Sequence, residues 1–289
     1  MELTKKNQEE TLIIKEHRVT SNNGETSVLP LLHYPLLEQT GIVEHCFTTR
    51  LGGVSEDIYS TLNFSFTRGD NPEAVLENYR RVAETFGKTV DDFICTDQTH
   101  TTMVLRVGKE QAGFGVTKER PYTDVDGLIT NESGVILSTF YADCVPLYFV
   151  DPVKKAIGLS HSGWRGTVGR MGQKTLEAMK EVFGTNPADV YAAIGPSICQ
   201  DCYEISEDVA EYFYEEFSGH GDEILINKGN GKYQLDLWKT NEIVMLEAGI
   251  LPEHLAVTNI CTCCNPEVLF SHRASYGKRG NLAAFLMLK

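Results

Sequence analysis

Apolar positions along this chain switch between a spacing of two and a spacing of about 3.6, and each switch marks an element. Residues 41–50 read as a strand running into Leu51-Gly52-Gly53-Val54-Ser55, whose paired glycines permit a tight turn with exposed amides. Arg50 therefore falls at a strand end. Asn71-Pro72 supplies a cap and a first-turn proline, and Val75, Leu76, Tyr79, Val82, Ala83 and Phe86 follow at helical spacing until Gly87 closes the helix.

The middle of the chain predicts strands over 102–107, 126–130 and 156–161. Residues 135–150 form a long apolar run broken by Asp143, Cys144 and Pro146. An aspartate and a proline break a buried ladder, so the interruption marks a bulge or strand end that serves a site. After residues 163–166 turn the chain, Met171, Leu176, Met179 and Phe183 mark a helix. Residues 189–196 read as strand then turn, Ser206 caps a helix to Phe217, and residues 229–232 make a hairpin turn. A helix over 235–249, a strand over 254–260, a cysteine loop and an exit strand over 282–288 complete the pattern. Strands and helices mixed throughout, with no linker, predict one α/β or α+β domain over residues 1–289, poorly ordered only in the polar stretch 1–10.

Composition narrows the function. The chain has 289 residues, 42% hydrophobic and 23% charged, as an ordinary globular protein does. A net charge of -14 argues against coating a nucleic acid, which requires clustered lysine and arginine. Neither a secretory signal nor a membrane-spanning apolar run is legible, so a cytoplasmic protein is expected, with a monomer as the default. Eight cysteines are then expected as thiols. Cys199-x-x-Cys202 with Cys261-x-Cys263-Cys264 offers a four-thiolate zinc site, but its second half reads as irregular, which favours buried or loop thiols.

A sharper set lies at strand ends and breaks: His100 in Asp97-Gln98-Thr99-His100, Cys144 after Asp143, and His161 before Ser162-Gly163-Trp164-Arg165-Gly166. Two imidazoles and a thiolate leave a fourth zinc position open, as catalytic zinc requires. Each has a plainer reading as a packed core residue, Arg165 as a surface cation stacked on Trp164, and Asp143 as a turn-former.

Taken in order, Thr49 to Ser55, Asp97 to His100, Asp126 to Thr130, Ala142 to Leu147, His161 to Gly166, Ile194 to Ile198, and Cys261-Thr262-x-Cys264 with Phe270-Ser271-x-Arg273 span nearly the whole chain. As a set they resemble the purine nucleoside phosphorylases of the YfiH/YlmD type, a family formerly grouped as laccase-like polyphenol oxidases. The resemblance implies zinc, with copper as a substitute, at His100, Cys144 and His161. It also implies mixed β-sheets packed between helix layers, similar to the cysteine deamidase toxin fold. The activity it implies is phosphorolysis of adenosine, inosine, guanosine and methylthioadenosine, together with adenosine deamination. The chain departs from the family pattern at Thr99, Thr101, Ser162 and His272, none of which removes a ligand.

Phosphorolysis passes through an oxocarbenium-like state, so an anionic phosphate must be held on one face of the sugar and the departing purine stabilised on the other. Arg50 with the Gly53 turn, Asn63, and Arg165 or Arg273 are the anchors expected for phosphate or sugar. Asp143 is the candidate proton shuttle for deamination, provided a bulge re-aims a side chain that would otherwise point away from its neighbour Cys144. Three other readings compete. They are copper-dependent phenol oxidation, a metal-independent hydrolase using Cys144 with a histidine base, and a protein that recognises or edits cell-wall precursors.

Overall fold

The computed structural model describes residues 3–20, 24 and 26–289. Two six-stranded mixed sheets lie face to face, with a small three-stranded sheet beside them. The first sheet runs, in spatial order, Ile13–Thr20, Thr26–His33, Val43–Thr48, Leu282–Leu288, Ile136–Tyr141 and Phe93–Cys95. The second runs Leu255–Val257, Tyr191–Ile194, Val145–Asp151, Ala156–Ser162, Gly127–Thr130 and Val104–Arg106.

Strand periodicity explains the layering. Phe47, Leu137 and Leu286 of the first sheet meet Tyr148, Val150, Ile157 and Leu159 of the second in the central core. Their neighbours point the other way. Leu31, Phe93 and Phe285 pack under Val75, Tyr79 and Val82 of helix Pro72–Thr85. Leu147 and Phe149 pack under Met171, Leu176 and Met179 of helix Met171–Phe183 and Val244 of helix Leu237–Glu247. The order is helix, sheet, sheet, helix, as the family resemblance implies. Strands Leu282–Leu288 and Val145–Asp151 are buried on both faces, which is why apolar residues dominate them without alternation.

The interrupted run 135–150 sets the site. Its halves, Ile136–Tyr141 and Val145–Asp151, belong to different sheets. The chain crosses between them at Ala142-Asp143-Cys144, where Asp143 takes φ +84. A non-glycine residue in that region is uncommon and costs of order 1–3 kcal/mol, a strain that clusters at functional sites. The crossing re-aims Asp143 and Cys144, so simple strand alternation does not apply to them.

Residues 3–9 are tied down where their polar composition predicts a poorly ordered start. Lys5 bridges to Ile260, Lys6 N donates to Asn259 O, and the Asn259 amide donates to Asn7 Oδ1 at 2.8 Å and Glu9 O at 2.7 Å. Two asparagine side chains, Asn259 and Asn265, hold this segment alongside Leu3, which packs against the central core, and composition does not reveal them. Residues 1 and 2 lie outside the described residues. Strands Ile13–Thr20 and Thr26–His33 are additions to the sequence reading; the first lies at a sheet edge and alternates in burial, but Lys15 and His17 fall on its inner side and Ile14 on its outer, so no apolar alternation marks it.

Candidate metal centre and cavity

His100, Cys144 and His161 come together: one ligand atom from each lies within 4.8 Å of the others. His161 is next to last in strand Ala156–Ser162, Cys144 immediately precedes the adjacent strand Val145–Asp151, and His100 sits in a loop at φ +68 with its ring stacked on His161, centroids 5.0 Å apart. Asp126, wholly buried, organises the group. Its Oδ1 accepts from His161 Nδ1 at 2.7 Å and from His100 N at 3.2 Å, while Oδ2 accepts from Thr101 N and Oγ1, both at 2.9 Å. With Nδ1 committed to a carboxylate, His161 presents Nε2, as metal-ligating histidines do.

Space and charge fit a cation. A Cβ on Gly163 would stand 3.2 Å from Cys144 Sγ and 3.5 Å from His100 Nδ1, so glycine keeps these two donors uncovered. Burial lowers the His100 pKa, and His161 lowers it further, which favours the neutral, ligating imidazole. Burial also disfavours a charged His161, but Cys144 and Asp126 outweigh it and hold its pKa up at about 9. A metal can discharge that stored proton on binding.

These donors open on a cavity of about 600 Å³. Its wall includes Phe66, Tyr141 and Tyr203 as aromatic surfaces, and four guanidinium side chains, Arg68, Arg120, Arg273 and Arg279. Arg120 is neutralised by Asp97 at 2.6 Å, and Arg273 donates to the carbonyls of Cys202 and Glu204. Arg279 donates through Nη1 to Gly280 O and Asn281 Oδ1, but among the described residues it has no carboxylate partner and its Nε has no partner at all, and burial together with nearby Arg68 pushes it down to about 10. Arg68 and Arg279, with His272 close by, thus concentrate positive charge on one side of the cavity.

Asp143 lines the same cavity, its Oδ1 accepting from Thr262 Oγ1 and its Oδ2 from Arg273 N, each at 2.7 Å. The other expected anchors have different surroundings. The Arg50 guanidinium donates to Ser60 O and Pro266 O and lies over the Phe270 ring, outside the cavity lining. Gly53 donates its N–H to Thr61 Oγ1 and has no room for a Cβ, which would meet Thr61 O at 2.1 Å. Asn63 is buried and donates to Asp70 while accepting from Asn281 N. These three close the loops behind the wall. Arg165 is exposed over Trp164, at the rim near His100. Sequence reasoning missed Arg68 and Arg279 because a lone arginine in a loop carries no periodic or spacing signal.

A third group, His33, Glu38 and His45, is also compact, but His45 Nε2 already accepts from Tyr34 N at 2.8 Å. Its ring proton therefore sits on Nδ1, leaving no lone pair for a metal. Burial holds His33 down at about 2 and His45 at about 3, although Glu38 stands 3.4 Å from His33. Both rings are thus neutral when folded, while in the unfolded chain they titrate near 6.5. Their stabilisation is complete above about pH 6.5 and declines as pH falls toward the folded values. Each costs up to about 1.4 kcal/mol per pH unit. His161, held up at about 9 without its metal, works in the opposite sense, but it is one ring against two. Urea unfolding of metal-stripped protein should therefore still give a smaller free energy at about pH 5.5 than at about pH 7.5, and a larger one at about pH 5.5 would contradict this assignment.

The architecture and the cavity define a class: a mixed two-sheet protein with a His-Cys-His centre at the crossing between the sheets. The family model described as multi-copper polyphenol oxidoreductase laccase matches residues 44–289. The purine nucleoside phosphorylase YlmD of Bacillus subtilis is 34% identical over 244 residues, covering 84% of this chain and 87% of that protein. The adenosine deaminase RL5, from an unknown prokaryotic organism, is 32% identical over 232 residues, covering 80% of this chain and 88% of that protein. The crystal structure of Bacillus licheniformis hypothetical protein YfiH superposes with a TM-score of 0.86 at 31% identity, over 90% of this chain and 96% of the other. This chain belongs to the YfiH/YlmD family. Among the described residues, no helix is long and apolar enough to cross a membrane.

Proposed function

We propose that this protein is a zinc-dependent purine nucleoside phosphorylase with adenosine deaminase activity, acting on adenosine, inosine, guanosine and methylthioadenosine. The observation that carries the reading is one cavity holding three metal donors, aromatic walls and an unneutralised Arg68–Arg279 pair. Zinc held by His100, Cys144 and His161 would supply Lewis-acid polarisation of a substrate atom. Copper suits two imidazoles and a thiolate too and remains the alternative ion. Oxidation of phenols by several coppers needs clustered histidines, and the His33 group lacks the lone pairs for it.

The chain's own groups divide the remaining work. Arg68, Arg279 and His272 hold the phosphate by charge-assisted hydrogen bonds, and Phe66, Tyr141 and Tyr203 enclose the purine and exclude water. Asp143 has one hydrogen bond on each oxygen, so each retains acceptor capacity toward a sugar hydroxyl or a purine N–H. The same carboxyl group is the candidate proton shuttle for deamination, a reading supported by the relative named as an adenosine deaminase.

Arg68 is exposed, so its truncation separates phosphate binding from folding. Arg68→Ala should raise the apparent KM for phosphate about tenfold or more, the loss expected for a charged hydrogen bond, with zinc content unchanged. An unaltered phosphate dependence would remove this phosphate site from the proposal.

A further inference from the structure

We propose that Cys199, Cys202, Cys261 and Cys264 form a second metal site, a four-thiolate zinc centre that braces the wall of the cavity. The four sulfurs all lie within 4.8 Å of one another. The pairs are Cys199-x-x-Cys202 and Cys261-x-x-Cys264, two regular knuckles, because Cys264 and not Cys263 completes the second. The irregularity read in the sequence comes from counting Cys263, which stands outside the group.

Geometry favours a single tetrahedral ion over the alternatives. Zinc–sulfur bonds of about 2.3 Å place sulfurs about 3.8 Å apart, and Cys202 and Cys264 stand 3.5 Å apart. That separation exceeds the roughly 2.05 Å of a disulfide, and all eight cysteines are free. An iron–sulfur cluster interposes inorganic sulfide and would spread the four sulfurs wider. Cys199 N donates to Cys261 Sγ at 3.3 Å, a hydrogen bond that stabilises thiolate charge across the two knuckles. Four thiolates on a divalent ion leave two negative charges. Lys6, anchored on Asp201 at 2.9 Å, lies near enough to Cys199 and Cys264 to offset part of them.

The position gives the site a purpose independent of the proposed activity. It clips the segment carrying Ile198 and Tyr203 to the segment carrying Thr262, and these residues line the cavity or hold Asp143. Ser197 already bridges to Cys261, and Arg273 caps the Cys202 carbonyl, so a metal would lock two loops that hydrogen bonds only align.

The test counts metal in the full-length protein purified under reducing conditions and loaded with zinc. The parent should carry about two equivalents per chain, Cys144→Ser about one, and Cys144→Ser combined with Cys199→Ser or Cys264→Ser almost none. Cys263→Ser should leave the count unchanged. Should the knuckle variants fail to fold, the Cys144→Ser protein loaded with cobalt decides the matter. Tetrahedral thiolate absorption, with four cysteines shielded from a thiol reagent until a chelator is added, supports the site. One equivalent in the parent that Cys144→Ser removes, or no thiolate-to-cobalt bands in the Cys144→Ser protein, overturns it.

Discussion

Cys144→Ser should abolish metal binding at the cavity and lower phosphate-dependent nucleoside cleavage about a thousandfold. The size follows from the Lewis-acid contribution, several kcal/mol, at about 1.4 kcal/mol per tenfold. The fold should survive, because Cys144 is only half-buried at the crossing between sheets and serine keeps its shape. Serine removes the soft thiolate and leaves only His100 and His161 as donors, with Asp126 behind them on His161 Nδ1. The check is kcat/KM beside metal content and the circular dichroism spectrum. A folded Cys144→Ser protein with parental activity would show that neither metal nor thiolate takes part. A protein equally active before and after chelation would instead support the metal-independent hydrolase.

Asp126→Asn has the second large expected effect, and it acts through other residues. Asp126 accepts from His161 Nδ1 and from the backbone of Thr99, His100 and Thr101, so one carboxylate positions both histidine ligands. An amide supplies one acceptor where two are used and turns an N–H against donors already in place. Zinc affinity should fall about 10- to 100-fold, the usual cost of losing an outer-shell partner. His161 should also lose part of the support that holds its pKa up at about 9. Competition with a chromophoric chelator measures the affinity, and NMR titration of His161 in metal-free protein separates positioning from simple loss of stability. Unchanged affinity and titration would make Asp126 a packing residue only.

Much of this architecture is legible in the sequence where a local rule acts alone. Asn71-Pro72 starts helix Pro72–Thr85, with Asn71 Oδ1 accepting from Glu73 N, and the apolar run at the C-terminus is strand Leu282–Leu288. The Asn230-Gly231 turn, both residues at positive φ, joins strands Leu225–Gly229 and Lys232–Leu235. Pairing is not local. Nothing in residues 135–150 says that their two halves enter different sheets, yet that crossing delivers Asp143 and Cys144 to the cavity. Arg50 has the spacing of an anion anchor but spends its guanidinium on two carbonyls, a use that only the folded loops disclose. Arg279 is the reverse case, an unremarkable residue near the C-terminus that tertiary structure buries beside Arg68.

The central claim is that phosphate, and not water, displaces the purine. The direct measurement follows the products of inosine with zinc-loaded protein in the presence and absence of phosphate, since inosine lacks the amino group that deamination would consume. Hypoxanthine and ribose 1-phosphate in equal amounts, formed only with phosphate, are the predicted result. Hypoxanthine with free ribose, or inosine left intact by protein carrying its metal, would contradict the assignment.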